Sequence, residues 1–542
     1  MKETIDCLLI GHNEMDIHQA AGNIMGLGEN SPIAREMNYQ FIQYNNHRYS
    51  LPGLYNYIKN RHDPGFTKVK HIDMGNVFCL SIAYLGTYLH RHNLTFDYIN
   101  SFQLERERLI DILQSEKFLT IAITTTFYTQ YYPIEEIVSL IREYNQEAQI
   151  IVGGPFVANK VKDNPKTAMS YFNKIGADLY VYSSQGEATL VNIIHCLKNK
   201  GTLEQVANIY YKKDNQFTGT RVEPENNDLE RNMVDWRLFK SGLPRLINVR
   251  SAVSCPFSCS FCGFPERAGK HYTVSVEAFE SELNTLRDTG VKSVYIVDDT
   301  FNVPPNRFKD LMRMMIRNKY PFQWNSYFRA QYADRETLDL MAEAGCEGVN
   351  LGLESGSQLI LDNMNKKVTV EAYRNGLNLL RQYDFIKMGT FIIGFPGETE
   401  ETVNETVSFI EESGLDYSSY LLWFCDPITP IYRDKERFDL KGSQFNWAHR
   451  TMNSETALNL LAEKFISVKN TTWLCSAPLN NLFPFAMYHQ EKMDYSRIRK
   501  LIGYYNEGLA EKIQNPIQSA KDISPGIFEK ISSVILNQEE KP

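Results

Sequence analysis

Short runs of apolar and β-branched residues alternate with longer stretches of helical period through most of the chain. In the first 200 residues, segments 7–11, 96–100, 119–124, 148–153 and 178–182 have the continuous apolar character of strands buried on both faces. Helical patterns lie between them near 77–92, 133–145, 167–175 and 187–198. This alternation predicts a parallel, doubly wound α/β sheet. Residues 12–75 break the rhythm and read as an insertion after the first strand. Next come a hairpin pattern (207–212 with 218–221) and a polar stretch, so residues 206–244 read as a linker. From 245 to 425 the alternation resumes, with strands predicted at 246–253, 291–297, 322–328, 347–353, 386–393 and 416–424. Helices fit at 276–289, 305–317, 335–344, 370–382 and 400–412, stopped by Gly290, Gly345 and Gly414. Six such units make a partial (β/α)6 barrel, two short of the closed eightfold form. Residues 426–542 read as a mainly helical C-terminal domain. The expected division is therefore 1–205, linker, 245–425 and 426–542.

At 542 residues the chain is long enough for several domains. Lys+Arg number 57 against 65 Asp+Glu, a net charge of −8, and no block of like charge stands out. A nucleic-acid-binding surface is not expected. No window approaches the roughly 18 uninterrupted apolar residues of a membrane span. The opening residues run into a strand rather than a signal peptide, so a soluble, cytoplasmic protein is expected. Nine cysteines are too few for a disulfide scaffold. Six are scattered singly, whereas Cys255, Cys259 and Cys262 fall within eight residues.

The segment reads Ser251-Ala-Val-Ser-Cys255-Pro-Phe-Ser-Cys259-Ser-Phe-Cys262-Gly. It follows the first strand of the second repeat, on the strand edge where α/β folds place their chemistry. Three thiolates can wrap an iron–sulfur cluster and leave one iron open. A structural zinc would need a fourth ligand, for which His271 is the nearby candidate.

Cys-x3-Cys-x2-Cys with aromatic Phe261 before the last cysteine resembles the radical S-adenosylmethionine (SAM) superfamily. So do Val297-Asp-Asp-Thr-Phe301, Tyr327-Phe-Arg329, Gly352-Leu-Glu-Ser-Gly356 and Ile392-Ile-Gly-Phe-Pro-Gly-Glu398, all at strand ends. The resemblance implies that Cys255, Cys259 and Cys262 hold a 4Fe-4S cluster whose open iron is chelated by SAM. Phe261, Gly263 and Asp298 join the implied cofactor site. Arg329 offers a fork to a carboxylate and Glu354 accepts from ribose hydroxyls. Gly394 and Gly397 let backbone approach the adenine.

A doubly wound domain ahead of such a barrel resembles the cobalamin-binding domain of cobalamin-dependent radical SAM enzymes. Gly153 and Gly154 would pack flat against the corrin, Thr125 and Thr126 would bond its nucleotide tail, and Gly186 and Glu187 would complete the site. Asp16-Ile-His18-Gln-Ala-Ala-Gly22 approximates the Asp-x-His-x-x-Gly of proteins that ligate cobalt from below, but its glycine comes one residue late. His18 is read as a loop histidine, and cobalamin as bound without a protein ligand.

Several segments resemble the subfamily around the phosphinothricin-tripeptide P-methyltransferase. They are Ile5-Asp-Cys-Leu-Leu-Ile-Gly-His-Asn13, Asn38-Tyr-Gln-Phe-Ile-Gln43, Trp423-Phe-Cys-Asp-Pro-Ile-Thr-Pro430 and Phe445-Asn-Trp-Ala-His449. The implied activity is methyl transfer to an unactivated carbon or a phosphinate phosphorus of a small-molecule or peptide-like natural-product intermediate. In it a 5′-deoxyadenosyl radical from SAM activates the substrate, and methylcobalamin supplies the methyl group. An electron donor such as flavodoxin or ferredoxin is implied. Cys425 is a candidate proton donor or radical quencher, with a packed thiol as its ordinary reading. The alternatives are a cobalamin-dependent radical SAM cyclase or rearrangement enzyme, and a cobalamin sensor without turnover.

Overall fold

Strand β1 (Ile5–His12) is central to the first sheet because all but its first residue is buried, flanked on both sides by parallel partners. The structure is a computed structural model that describes residues 3–14, 16–26, 28, 31–183, 185–214, 216–225, 227–475, 479–514 and 521–537. It divides into two units: Met1–Met15, Met74–Asn248 and Glu277–Val291 form one; Asp16–Asp73, Val249–Val276 and Lys292–Pro542 form the other.

In unit 1, α1 (Leu80–Arg91), β2 (Phe96–Ser101), α2 (Arg106–Ser115), β3 (Phe118–Thr124), α3 (Tyr132–Tyr144) and β4 (Gln149–Gly153) follow β1. Then come α4 (Pro155–Asp163), α5 (Pro165–Ile175), β5 (Leu179–Val181) and α6 (Glu187–Lys198). The parallel order is β2-β1-β3-β4-β5. Helix α3 shows why the segments cover this sheet: Ile134, Ile137, Val138 and Ile141, at helical spacing, are buried on one face. They join Ile10, Ile123 and Val152 in the core.

Residues 206–244 are not a linker. The hairpin β6 (Ile209–Lys213) and β7 (Gln216–Gly219) adds two antiparallel strands beside β5, so the five-stranded sheet has seven strands. Phe217 packs edge-on to Phe172 and Tyr180, and Trp236 and Phe239 are fully buried around Phe78. That apolar burial binds the segment to the unit.

Unit 2 carries β8 (Ser293–Ile296), β9 (Gln323–Tyr327), β10 (Cys346–Glu354), β11 (Ile386–Ile393) and β12 (Tyr417–Leu422), all parallel in chain order. Helices α7 (Pro305–Asn318), α8 (Arg335–Glu343), α9 (Val370–Leu380) and α10 (Glu400–Ser413) alternate with them. Asp334, Thr369 and Thr399 accept from backbone amides to start α8, α9 and α10, and Gly414 at φ +68° stops α10. The C-terminal segment is less purely helical than its pattern predicts. Besides α11 (Ser454–Ser467), α12 (Phe483–Glu491), α13 (Tyr495–Gln514) and α14 (Pro525–Leu536), it supplies β13 (Thr472–Trp473), which pairs with β12.

The expected insertion packs differently from its position in the chain. Residues 16–73 belong to unit 2, where Lys512 Nζ donates to Phe41 O at 2.6 Å and Tyr505 Oη to Tyr49 O at 2.9 Å. Asn45 N also donates to Asp522 Oδ2 at 2.8 Å, and Tyr44 stacks on Phe528. Among the described residues no helix is long and apolar enough to cross a membrane.

Candidate functional site

The three-cysteine loop begins where Asp298, in the turn after β8, accepts from Ser251 N (2.7 Å), Ser251 Oγ (2.6 Å) and Ala252 N (3.0 Å). Asp298, expected at a cofactor, instead spends its carboxylate on positioning this loop. Arg307 adds a bond to Ser251 O, and Ser254, directly before Cys255, adopts φ +64°. At the loop's centre Ser260 N donates to Met364 O and Ser260 Oγ to Asn363 O, while Ser260 O accepts from Ile431 N. An added Cβ at Gly263 would sit 2.7 Å from Ile428 Cγ2, so the glycine is needed for protein packing. The loop is thereby fixed from three sides.

Arg329 lies at the end of β9, its guanidinium 3.5 Å from the centre of the Phe257 ring and its Nη2 3.8 Å from Cys259 Sγ. Its backbone is held by Asn302, and its Nη1 is buried without a partner. Glu354, at φ +67° on the end of β10, pairs at 2.9 Å with Lys366, whose ammonium lies 5.4 Å from the Phe261 ring. Lys366 escaped the sequence analysis, and Asp299 entered it only inside the run Val297-Asp-Asp-Thr-Phe301. Asp299 is open to solvent at its outer edge, yet loss of solvation and then the Asp298 charge push its carboxyl up to about 7. Burial likewise pushes the Cys255 thiol up, and that of Cys262 to about 11.

Packing accounts for three of the expected site residues. At Gly394 the Trp447 ring and Ala457 occupy the place of a side chain, and at Gly397 Asn363 does, so packing alone already requires both glycines. Cys425 is fully buried; its backbone bridges Gln444 and its thiol is 4.0 Å from Gly442 O. Burial raises this thiol to about 11, as befits a packing residue. Glu398, also fully buried, accepts from Gly394 N through one oxygen while the other has no partner, and burial raises its carboxyl to about 8.

Among the described residues no three His, Cys, Asp or Glu side chains converge tightly enough for a single metal ion. The cysteine loop still suits a multi-iron cluster, in which each thiolate binds a different iron and the ligands stand further apart. The orphaned Arg329 Nη1 and the buried, unpartnered Ser254 Oγ beside the loop are the polar groups such a ligand would satisfy. A small cavity among the unit 2 strands is lined by Tyr327, Asn350, Thr390, Tyr417, Ser418 and Ser419, with Asn350 Nδ2 and Tyr417 Oη unpartnered.

In unit 1 the strand-end loops largely satisfy themselves. Thr125 Oγ1 donates to Gly153 O at 2.8 Å and accepts from Phe156 N at 3.2 Å. Gly154 has φ +109°, and an added Cβ would lie 2.9 Å from Thr125 Oγ1. Thr126 pairs with Ser81, and a Cβ on Gly153 would crowd Val181. Glu187 accepts from Gly186 N and from Asn227. Glu225, which sequence reasoning left in the linker, accepts from the Ala188 and Thr189 amides at the start of α6, both at 3.0 Å. His18 lies in unit 2; it stacks on His47, and its Nδ1 accepts from Arg48 N.

The sequence profile of the radical SAM superfamily matches residues 249–410, from the cysteine loop to α10. An uncharacterized methyltransferase of Pyrococcus horikoshii is 25% identical over 310 residues, covering 56% of this chain and 65% of the relative. The anaerobic magnesium-protoporphyrin IX monomethyl ester cyclase of Cereibacter sphaeroides is 26% identical over 360 residues, covering 62% and 56% respectively. The chain thus spans between half and two thirds of the length of these curated relatives. Among solved structures, the radical SAM methyltransferase TsrM of Kitasatospora setae, with cobalamin and a [4Fe-4S] cluster bound, superposes with a TM-score of 0.59 at 15% identity. That match covers 81% of this chain and 97% of TsrM, and at this identity it shows a shared fold. The cysteine loop opens the stretch that the profile recognises, so residues 249–410 of this chain match the radical SAM superfamily.

Proposed function

We propose that the protein is a cobalamin-dependent radical SAM methyltransferase acting on an unactivated carbon or a phosphinate phosphorus of a small-molecule or peptide-like substrate. The observation that carries this reading is the braced loop of Cys255, Cys259 and Cys262, with the unpaired guanidinium of Arg329 at its edge. The likeness to a methyltransferase that binds both cofactors, and the doubly wound unit 1, support the cobalamin part. When bound, the cluster and SAM would supply reductive radical generation, and cobalamin a second methyl carrier.

The chain's own residues prepare the site. Cys255, Cys259 and Cys262 would hold the cluster. Arg329, stacked on Phe257, keeps a fixed donor for a carboxylate such as that of SAM. Glu354, oriented by Lys366, presents an acceptor for hydroxyl groups. Strands β9–β11 hold these strand-end groups in fixed positions. An external one-electron donor of the flavodoxin or ferredoxin kind completes the reading.

The test is anaerobic turnover of the reconstituted protein with methyl-deuterated SAM, dithionite and a panel of C–H and P–H acceptors. Label in the product, with equal amounts of 5′-deoxyadenosine and S-adenosylhomocysteine, is expected. The likeness to a cyclase favours a second reading, in which no methyl group is transferred. A product altered only by loss of hydrogens, with 5′-deoxyadenosine alone, would establish that reading and overturn methylation.

A further inference from the structure

His12 ends β1 at the point where the order of the first sheet reverses: β2 lies on one side of β1 and β3 on the other. In doubly wound sheets ligands bind outside the carboxyl ends of the strands at this reversal. A cavity of about 140 Å³ opens there, lined by His12, Glu14, Met74, Phe127, Tyr128 and Gln130 among others.

Within it the imidazole is 6% exposed and its Nε2 has no hydrogen-bond partner. The Val77 backbone beside the ring favours its protonated form, against the larger effect of burial. A buried imidazole nitrogen without a partner is a donor atom that a metal can satisfy. Burial keeps the ring neutral, lowering its proton affinity to a pKa of about 4.

The backbone that carries His12 is held firmly. His12 O accepts from Phe102 N at 2.7 Å, and Tyr128 Oη donates to Gly11 O at 2.9 Å while accepting from Asn13 N at 2.6 Å. Asn13 Nδ2 reaches Pro133 O at 2.7 Å. A side chain at position 11 would meet Asn100 O at 2.6 Å, so the residue before His12 is confined to glycine. Phe127, itself 54% exposed, covers the imidazole with its ring centroid 5.1 Å away.

A free metal ion needs three or four protein ligands. Among the described residues no such group surrounds His12. A lone nitrogen donor instead suits a metal whose equatorial positions are already filled by a macrocycle. We propose that His12 Nε2 is the axial protein ligand to the cobalt of a corrin bound at the carboxyl edge of unit 1, with Phe127 the ring that must yield to admit it. The inference rests on the cobalamin reading above. Ligation exchanges a cobalt-bound water or the cofactor's own benzimidazole for Nε2. No electron moves and no proton is released, because a neutral imidazole binds through its unprotonated nitrogen.

The full chain is loaded anaerobically with hydroxocobalamin, desalted, reduced to cob(II)alamin and examined by electron paramagnetic resonance. Protein carrying ordinary histidine should show each cobalt line split into a triplet, and protein grown with nitrogen-15 histidine should show doublets. The benzimidazole, unlabelled in both, cannot produce that change. His12→Ala should lose the label-dependent splitting and recover a triplet when imidazole is added, whereas His18→Ala should keep the doublets. Label-independent splitting, no splitting, or loss of the doublets in His18→Ala alone would overturn the His12 assignment while leaving cobalamin binding intact. Failure of the wild-type chain to retain cobalamin through desalting would overturn the cobalamin reading itself, and this inference with it.

Discussion

The two units use the same architectural rule and finish their strand edges in opposite ways. Both place loops at the carboxyl ends of parallel strands. In unit 1 most of the polar groups there are consumed by the protein: Thr125 by Gly153 and Phe156, the start of α6 by Glu225, Glu187 by Asn227. Buried polar atoms without partners stand at the unit 2 edge, on Arg329, Ser254 and Glu398, and a buried ion pair joins Glu354 to Lys366. Since each unpaired buried group costs about 1–3 kcal/mol, unit 2 stores more unsatisfied bonding capacity for a ligand to relieve. His12 Nε2 is the exception within unit 1, an unpaired atom at an edge that otherwise satisfies itself.

The largest effect that tests this contrast is at the cysteines. Changing Cys255, Cys259 and Cys262 together to alanine should take reconstituted iron from about four per chain to none, measured by iron assay and visible absorbance. Iron retained by that variant would place the cluster elsewhere. Next is the buried pair: Lys366→Met should destabilise the chain by about 3 kcal/mol in denaturant, because Glu354 is left as a lone buried carboxylate. Adding Glu354→Gln should return most of that loss, and no recovery would show that Lys366 acts through packing alone.

Glu398 gives a pH signature. Its carboxyl is raised from 4.5 to about 8 by burial, so the folded chain holds a proton that the unfolded chain has lost. This stabilisation is complete below 4.5, declines as pH rises through the window, and is gone above about 8. Glu398→Gln should remove that slope from a plot of thermal midpoint against pH; an unchanged slope would assign it to another group. The smallest effect belongs to unit 1, where Glu225→Ala should cost about 1 kcal/mol by uncapping α6. A loss several times larger would mean that the edge depends on Glu225 for more than a helix start.

Much of this was legible in the chain because periodicity and spacing are local. Every strand from β1 to β5 and from β8 to β12 lies within a residue or two of its apolar run. The cysteine loop is a contiguous signature, and Arg329 and Glu354 stand out because they end predicted strands. The rest depends on contacts that local pattern does not encode. Residues 16–73 follow β1 in sequence, but their bonds run to α13 and Asp522 more than 450 positions later. The glycines at 394 and 397 suggested room for a ligand, but packing against Trp447 and Asn363 already requires them. Asp298 and Asp299 are neighbours of identical type; burial sends one to the Ser251 backbone and leaves the other beside the thiols. His12 sits in plain view in Gly11-His-Asn13, but its distinguishing property is a missing partner, which emerges only once the loops around it are placed.

The chain crosses between its two units at positions 15, 73, 248, 276 and 291. For synthesis this has a cost in time. Phe41 leaves the ribosome 471 residues before Lys512, its buried partner. At about 5–20 residues per second, the segment around it waits roughly 20–90 s with its apolar face uncovered. A single cut cannot liberate unit 1 as a fragment, and shortening the C-terminus would strip the packing from residues near the N-terminus. Expression of this protein should therefore respond to slower elongation or added chaperone far more than a bead-on-a-string arrangement of the same domains would.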